Sequence, residues 1–120
     1  MIFSHNTWSR AMTVKRTWQR YEMQAKVIGA LAHPIRVAIA DLLKDGEVCV
    51  CEIADRIGAE RSNTSRHLAI MLNAGVLRTR KERLQVFYSL STPCIVNFLS
   101  CATRAIQQNL DEQTHAMASA

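Results

Sequence analysis

Hydrophobic positions recur along this chain with a helical period over most of its length and a strand-like period over one short stretch. From about Thr17 to Leu31, the residues Trp18, Tyr21, Met23, Ala25, Val27, Ile28 and Leu31 form a broad helical stripe. His33 and Pro34 break it, since the residue before a proline avoids the helical region and Pro34 suits the first position of a new helix. In that helix Ile35, Ala38, Ile39, Leu42 and Leu43 recur at spacings of three and four until Gly46 stops it. Between Cys49 and Gly75 the pattern predicts two short helices across a tight turn. Ile53, Ala54 and Ile57 face the core from the first, Gly58 supplies the positive φ that ends it, and Leu68, Met71 and Leu72 stripe the second. Val76 to Arg80 and Gln85 to Leu90 then read as two strands of a hairpin joined across Lys81, Glu82, Arg83 and Leu84. Pro93 opens a last helix whose Ile95, Val96, Phe98, Leu99, Ala102 and Ile106 are apolar on more than one side, so it calls for a partner. Residues 1–16 lack periodicity and are expected to be a flexible arm; residues 17–110 form one domain; residues 111–120, polar and small, are expected to fray.

The polar run between the two short helices carries the first functional signal. Arg61, Ser62, Asn63, Thr64, Ser65, Arg66 and His67 put hydrogen-bonding groups on the early turns of the second helix, where a helix-turn-helix reader makes its base and phosphate contacts. Charge is concentrated there as well. Of the net +5, residues 61–90 alone hold six basic groups and one acidic, while residues 21–60 are net acidic. Such a block suits double-stranded DNA, because each cation that neutralises a phosphate releases a counterion; a solvated surface is the plain alternative. Around the hairpin tip, Arg80, Lys81, Arg83 and Gln85 are placed to follow a backbone or enter a minor groove, the alternative again being a solvated loop.

The totals narrow the class. At 120 residues the chain fits one domain with a modest core, so pairing of two copies is expected. No apolar run approaches the roughly 18 residues of a membrane span, and the N-terminus lacks the order of a signal peptide, which predicts a cytoplasmic protein with no membrane partner. There the four cysteines read as thiols, metal ligands or redox sensors, not structural disulfides. No nucleophile with base and orienter, no glycine-rich phosphate loop and no paired carboxylate motif is present, so an enzyme is not expected. His33 reads as a helix-boundary residue, His5 as part of the arm and Trp18 as a dimer-core aromatic.

Four strings in this order, ALAHPIR (Ala30–Arg36), VCVCEIADRIG (Val48–Gly58), SRHLAIMLNAGVL (Ser65–Leu77) and QVFYSL (Gln85–Leu90), resemble the ArsR/SmtB family of metal-sensing transcriptional repressors over roughly residues 20–110. The resemblance implies a mainly α fold with a β-hairpin: a winged helix-turn-helix homodimer, paired through its first and last helices, that sits on a palindromic operator and leaves it on binding an inducer. One departure is local. The family's hairpin tip usually carries a glycine and a basic residue where this chain has Arg83 and Leu84.

Cys49 and Cys51 resemble the cysteine pair of arsenite-responsive and cadmium/lead-responsive members. In a regular helix residues two apart point about 200° away from each other, so joint capture of one ion requires a first turn that is irregular or that opens. Further family ligands are absent: Ala54 stands where arsenite-type members carry a third cysteine, and the arm contributes none. Cys94 and Cys101, about 10 Å apart along the last helix, cannot share an ion within one helix but can meet across an antiparallel pairing of two copies. Small buried residues of a dimer seam are the alternative for that pair. The four thiols thus form two sites, one combined site, or a single working pair. Their soft character favours As(III) or Sb(III) as inducer, with Cd(II) or Pb(II) next, over hard cations. A thiol redox or persulfide sensor on the same frame is the competing chemistry.

Overall fold

The computed structural model describes the backbone of residues 2–119 and the side chains of residues 10, 11 and 13–119. Five helices and a small sheet follow in the order α1 (Ile2–Gly29), α2 (Pro34–Leu42), β1 (Val48–Cys49), α3 (Val50–Ile57), α4 (Arg61–Asn73), β2 (Leu77–Glu82), β3 (Gln85–Leu90) and α5 (Ile95–Ser119). This is the expected mainly helical fold with a β-hairpin. Pro34 takes the first turn of α2, and His33 caps it with Nδ1 accepting the Ile35 N–H at 3.1 Å. A 3-10 turn, Leu43–Asp45, ends at Gly46. Gly58 closes α3 in the left-handed region at φ 73°. At the end of α4, Gly75 (φ 82°) lets the Val76 N–H reach the Met71 carbonyl and its own N–H reach that of Leu72, which satisfies two carbonyls that the helix leaves free.

The antiparallel sheet has the order β1-β3-β2, with Glu82 opposite Gln85 across a two-residue turn. The strands of the hairpin therefore run further toward the tip than expected, and Lys81 and Glu82 belong to β2. Arg83 holds φ 58° at the turn. β1 is an element the hydrophobic pattern did not reveal, because it is only two residues long; it sets Val48 opposite Tyr88 and Cys49 opposite Phe87.

Ile39, Ile53, Leu68, Met71 and Val76 are fully buried and join α2, α3, α4 and the root of the hairpin into one core, with Leu31 and Ile95 entering from the ends of α1 and α5. The outer lengths of those two helices stand away from it. The first helix starts at Ile2 instead of near Thr17, since no glycine or proline interrupts residues 2–28 and Arg10, Ala11, Lys15 and Arg16 are good helix formers. Likewise α5 stays helical through the stretch expected to fray, to Ser119, supported by Gln107 donating to Asp111 at 3.0 Å one turn on. Its start is later than expected: Pro93 and Cys94 lie in the turn before it. No helix is long and apolar enough to cross a membrane among the described residues. An open apolar groove of about 750 Å³ runs between α2 and α5, with Pro34, Val37, Val96, Leu99 and Ile106 along its walls.

Candidate nucleic-acid interface and thiol pair

The two faces of α4 divide the polar run. Arg61, Ser62, Ser65 and Arg66 are exposed, and Asn63 is half-buried. Thr64 and His67, expected among the DNA contacts, are instead 1 % and 7 % exposed. The reason is helical phase: residues 64, 67, 68 and 71 share the inward face, so Thr64 and His67 stack in line with Leu68 and Met71. That spacing was available in the sequence and outranks side-chain polarity. His67 accepts from the Arg36 guanidinium of α2 at Nδ1, 3.1 Å away, and its ring lies 4.2 Å from that of His33. Burial, followed by the charges of His33, Arg36 and Arg66, holds the His67 pKa below the ordinary histidine value. His67 thus docks α4 onto α2.

At the hairpin, Lys81, Arg83 and Gln85 are exposed near the tip. Arg80 is differently engaged. Its Nη2 and Nε donate to the Glu47 carboxylate at 2.6 and 3.1 Å, its Nη1 donates to Glu82 at 2.9 Å, and its guanidinium carbon lies 4.9 Å from the centre of the Phe87 ring. The Arg80 hydrogen bonds hold Glu47 below the usual carboxylate range. Arg80, expected as a DNA contact, thus also clamps two exposed carboxylates from different parts of the chain. Glu47 was not among the candidates; it lies 33 positions away in sequence, and only the sheet brings it to Arg80.

That clamp sits beside the first thiol. Cys49 ends β1 in extended conformation (φ −65°, ψ 143°) at the cap position of α3, and Cys51 lies in the first turn of that helix. Only Cys51 is therefore inside the regular helix, so the splay of about 200° between residues two apart in a helix does not apply to the pair. The thiols meet. A hydrogen bond from the Cys51 thiol, then the backbone N–H groups of Cys51 and Glu52, lower the Cys49 pKa, while the same contact raises that of Cys51. Cys94 and Cys101 are both exposed. Among the described residues no three His, Cys, Asp or Glu side chains of one chain gather into a metal-holding group.

Residues 33–79 match the family described as bacterial regulatory protein, arsR family. The chain is 31% identical over 94 residues to the uncharacterized HTH-type transcriptional regulator Rv0081 of Mycobacterium tuberculosis, spanning 78% of this chain and 82% of that one. The crystal structure of Rv0081 superposes with a TM-score of 0.69 at 30% identity over 78% of this chain and 95% of that one. The homodimeric winged helix-turn-helix DNA-binding domain of Mb0332 from Mycobacterium bovis gives a TM-score of 0.71 at 25% identity over 81% and 90% of the two chains. A cadmium resistance transcriptional regulatory protein CadC homolog of Staphylococcus aureus is 43% identical over 67 residues, 55% of each chain. With helix-turn-helix, hairpin wing and flanking helices in the same order, the chain belongs to the arsR family of bacterial regulatory proteins and is a winged helix-turn-helix transcriptional regulator.

Proposed function

We propose that the protein is a homodimeric cytoplasmic repressor that holds a palindromic operator through α4 and the wing and releases it when Cys49 and Cys51 capture As(III) or Sb(III). The observation that carries this reading is the placement of the thiol pair: Cys49 at the cap position and Cys51 in the first turn of α3, the helix that packs against α4. Arg61, Ser62, Asn63, Ser65 and Arg66 of α4, with Lys81, Arg83 and Gln85 of the wing, form the DNA surface. Two copies pair by laying α1 and α5 into each other's apolar faces and grooves, which fixes the spacing of their reading helices. A captured ion ties the end of β1 to the first turn of α3. Since β1 is hydrogen-bonded to the wing strand β3 and α3 packs on α4, the tie shifts reader and wing relative to one another without unwinding a helix.

Fluorescence anisotropy of labelled operator DNA tests this. Arsenite releases the wild-type protein, fails to release Cys49→Ser/Cys51→Ser, and still releases Cys94→Ser/Cys101→Ser. Arg66→Ala lowers operator affinity about tenfold or more, as loss of one charged contact to DNA does, with ion binding unchanged. Normal operator affinity in that variant refutes the assignment of α4. The similarity to the CadC homolog supports a second inducer class, Cd(II) or Pb(II), on the same pair. Release by cadmium but not arsenite selects it.

A further inference from the structure

His67 follows the exposed Arg66 on α4, yet its own ring turns inward and is 7 % exposed. Its Nδ1 lies 3.1 Å from Nη1 of Arg36 on α2. A guanidinium carries donors and no acceptor, so this contact is a hydrogen bond only while Nδ1 keeps its lone pair and the imidazole proton stays on Nε2. Arg36 has no carboxylate to turn to instead. Its Nε is buried without a partner, and among the described residues no salt bridge joins it to an acid. The titratable groups that face His67 are His33 and Arg36, at the start of α2, and Arg66 on α4 itself; α3 and β2 also pack on α4, and among the described residues no carboxylate from either acts on it. His33 brings its ring to 4.2 Å and spends its own Nδ1 on the Ile35 N–H, the cap of α2.

We propose that the Arg36–His67 hydrogen bond is a proton-sensitive latch that holds the N-terminal half of α4 on α2, so that acid releases the operator independently of the thiols. The inference rests on α4 as the DNA-reading helix and not on Cys49 and Cys51. A proton added at Nδ1 sets N–H against N–H and puts a cation beside Arg36 and Arg66, with no carboxylate to receive it. The latch then opens, while Leu68 and Met71 keep the rest of α4 in the core. Because Arg66 directly precedes His67, the groups that face DNA ride on the turn that the latch fixes. Burial, ahead of the neighbouring charges, makes the docked imidazole bind a proton less readily than an ordinary histidine; an undocked one, in water, titrates at about 6.5. The docked state is therefore favoured in full above that value, and its advantage shrinks as the pH falls from there through the docked pKa. Acid ordinarily strengthens the grip of a protein on DNA, as histidines gain charge against phosphate, so the latch acts in the opposite direction.

Operator affinity of the full chain, measured by anisotropy without arsenite from about pH 7.5 down to about pH 5.5, tests the latch. Wild type loses up to about tenfold per protomer for each pH unit below about 6.5. His67→Asn sets an amide oxygen where Nδ1 accepts and does not titrate, so its affinity holds or rises in acid. Cys49→Ser/Cys51→Ser keeps the wild-type fall. A second readout uses the wild type alone: nitrogen chemical shifts of the His67 ring place its proton on Nε2 at neutral pH, and its pKa is lower in the operator complex than in the free chain. A proton on Nδ1 at neutral pH, an equal or higher pKa in the complex, or a fall in His67→Asn as large as in wild type overturns the latch. Loss of helical ellipticity in step with affinity overturns it as well, since acid then unfolds the chain. Normal affinity at neutral pH in Arg66→Ala overturns α4 as the reader instead.

Discussion

Cys49 ends a strand and Cys51 starts a helix, and their pKa values are pushed in opposite directions. The Cys51 thiol is the largest influence that lowers the Cys49 pKa, while the neighbouring sulfur raises that of Cys51. Alkylation of Cys49, followed against pH by mass spectrometry, is therefore expected to have a midpoint below the ordinary thiol value of about 8.5. Cys51→Ala removes the largest cause and moves that midpoint up. An unchanged midpoint in Cys51→Ala shows that the thiol contact is not what tunes Cys49. At this scale the sequence was only partly readable. Residue type marked the cysteines and the basic positions, but not which polar residues of α4 turn inward or which arginine is already neutralised. Helical phase decides the first for Thr64 and His67, and a contact across 33 positions decides the second for Arg80.

The elements with a strong period, α2, α3, α4 and β3, fall where the hydrophobic pattern puts them, because each buries one face in the common core. What the pattern missed has little or no period to show. β1 is too short to have one, and the outer parts of α1 and α5 are helical without an apolar stripe buried in the protomer. The wing adds a local conflict: Arg83 takes φ 58°, a backbone region that disfavours side chains with a Cβ. Arg83→Gly is expected to raise stability by up to about 1 kcal/mol through relief of that strain, read as a higher urea midpoint at unchanged slope. Operator affinity falls in the same variant because the tip loses a cation. A lower midpoint indicates that the arginine side chain packs usefully at the turn.

The whole protomer is drawn out rather than rounded. Its radius of gyration is 20.3 Å, against about 14 Å for a compact domain of this length. Trp18 is 62 % and Ile106 62 % exposed, and Val14, Tyr21, Met23, Phe98 and Leu110 are exposed with them. Apolar surface on this scale on two long helices is what a second copy covers. Phe98→Glu/Ile106→Glu is expected to yield monomers in sedimentation equilibrium and to lose cooperative binding to a two-half-site operator; a dimer of wild-type strength places the seam elsewhere. Covering α1 and α5 also makes folding a second-order event. Each tenfold dilution of the protein then removes about 1.4 kcal/mol of stability per dimer, so melting temperature falls with concentration. A regulator built this way couples its own abundance to its survival: scarce copies are the ones most open to unfolding and proteolysis, and the operator, by gathering two of them, protects the pair it binds.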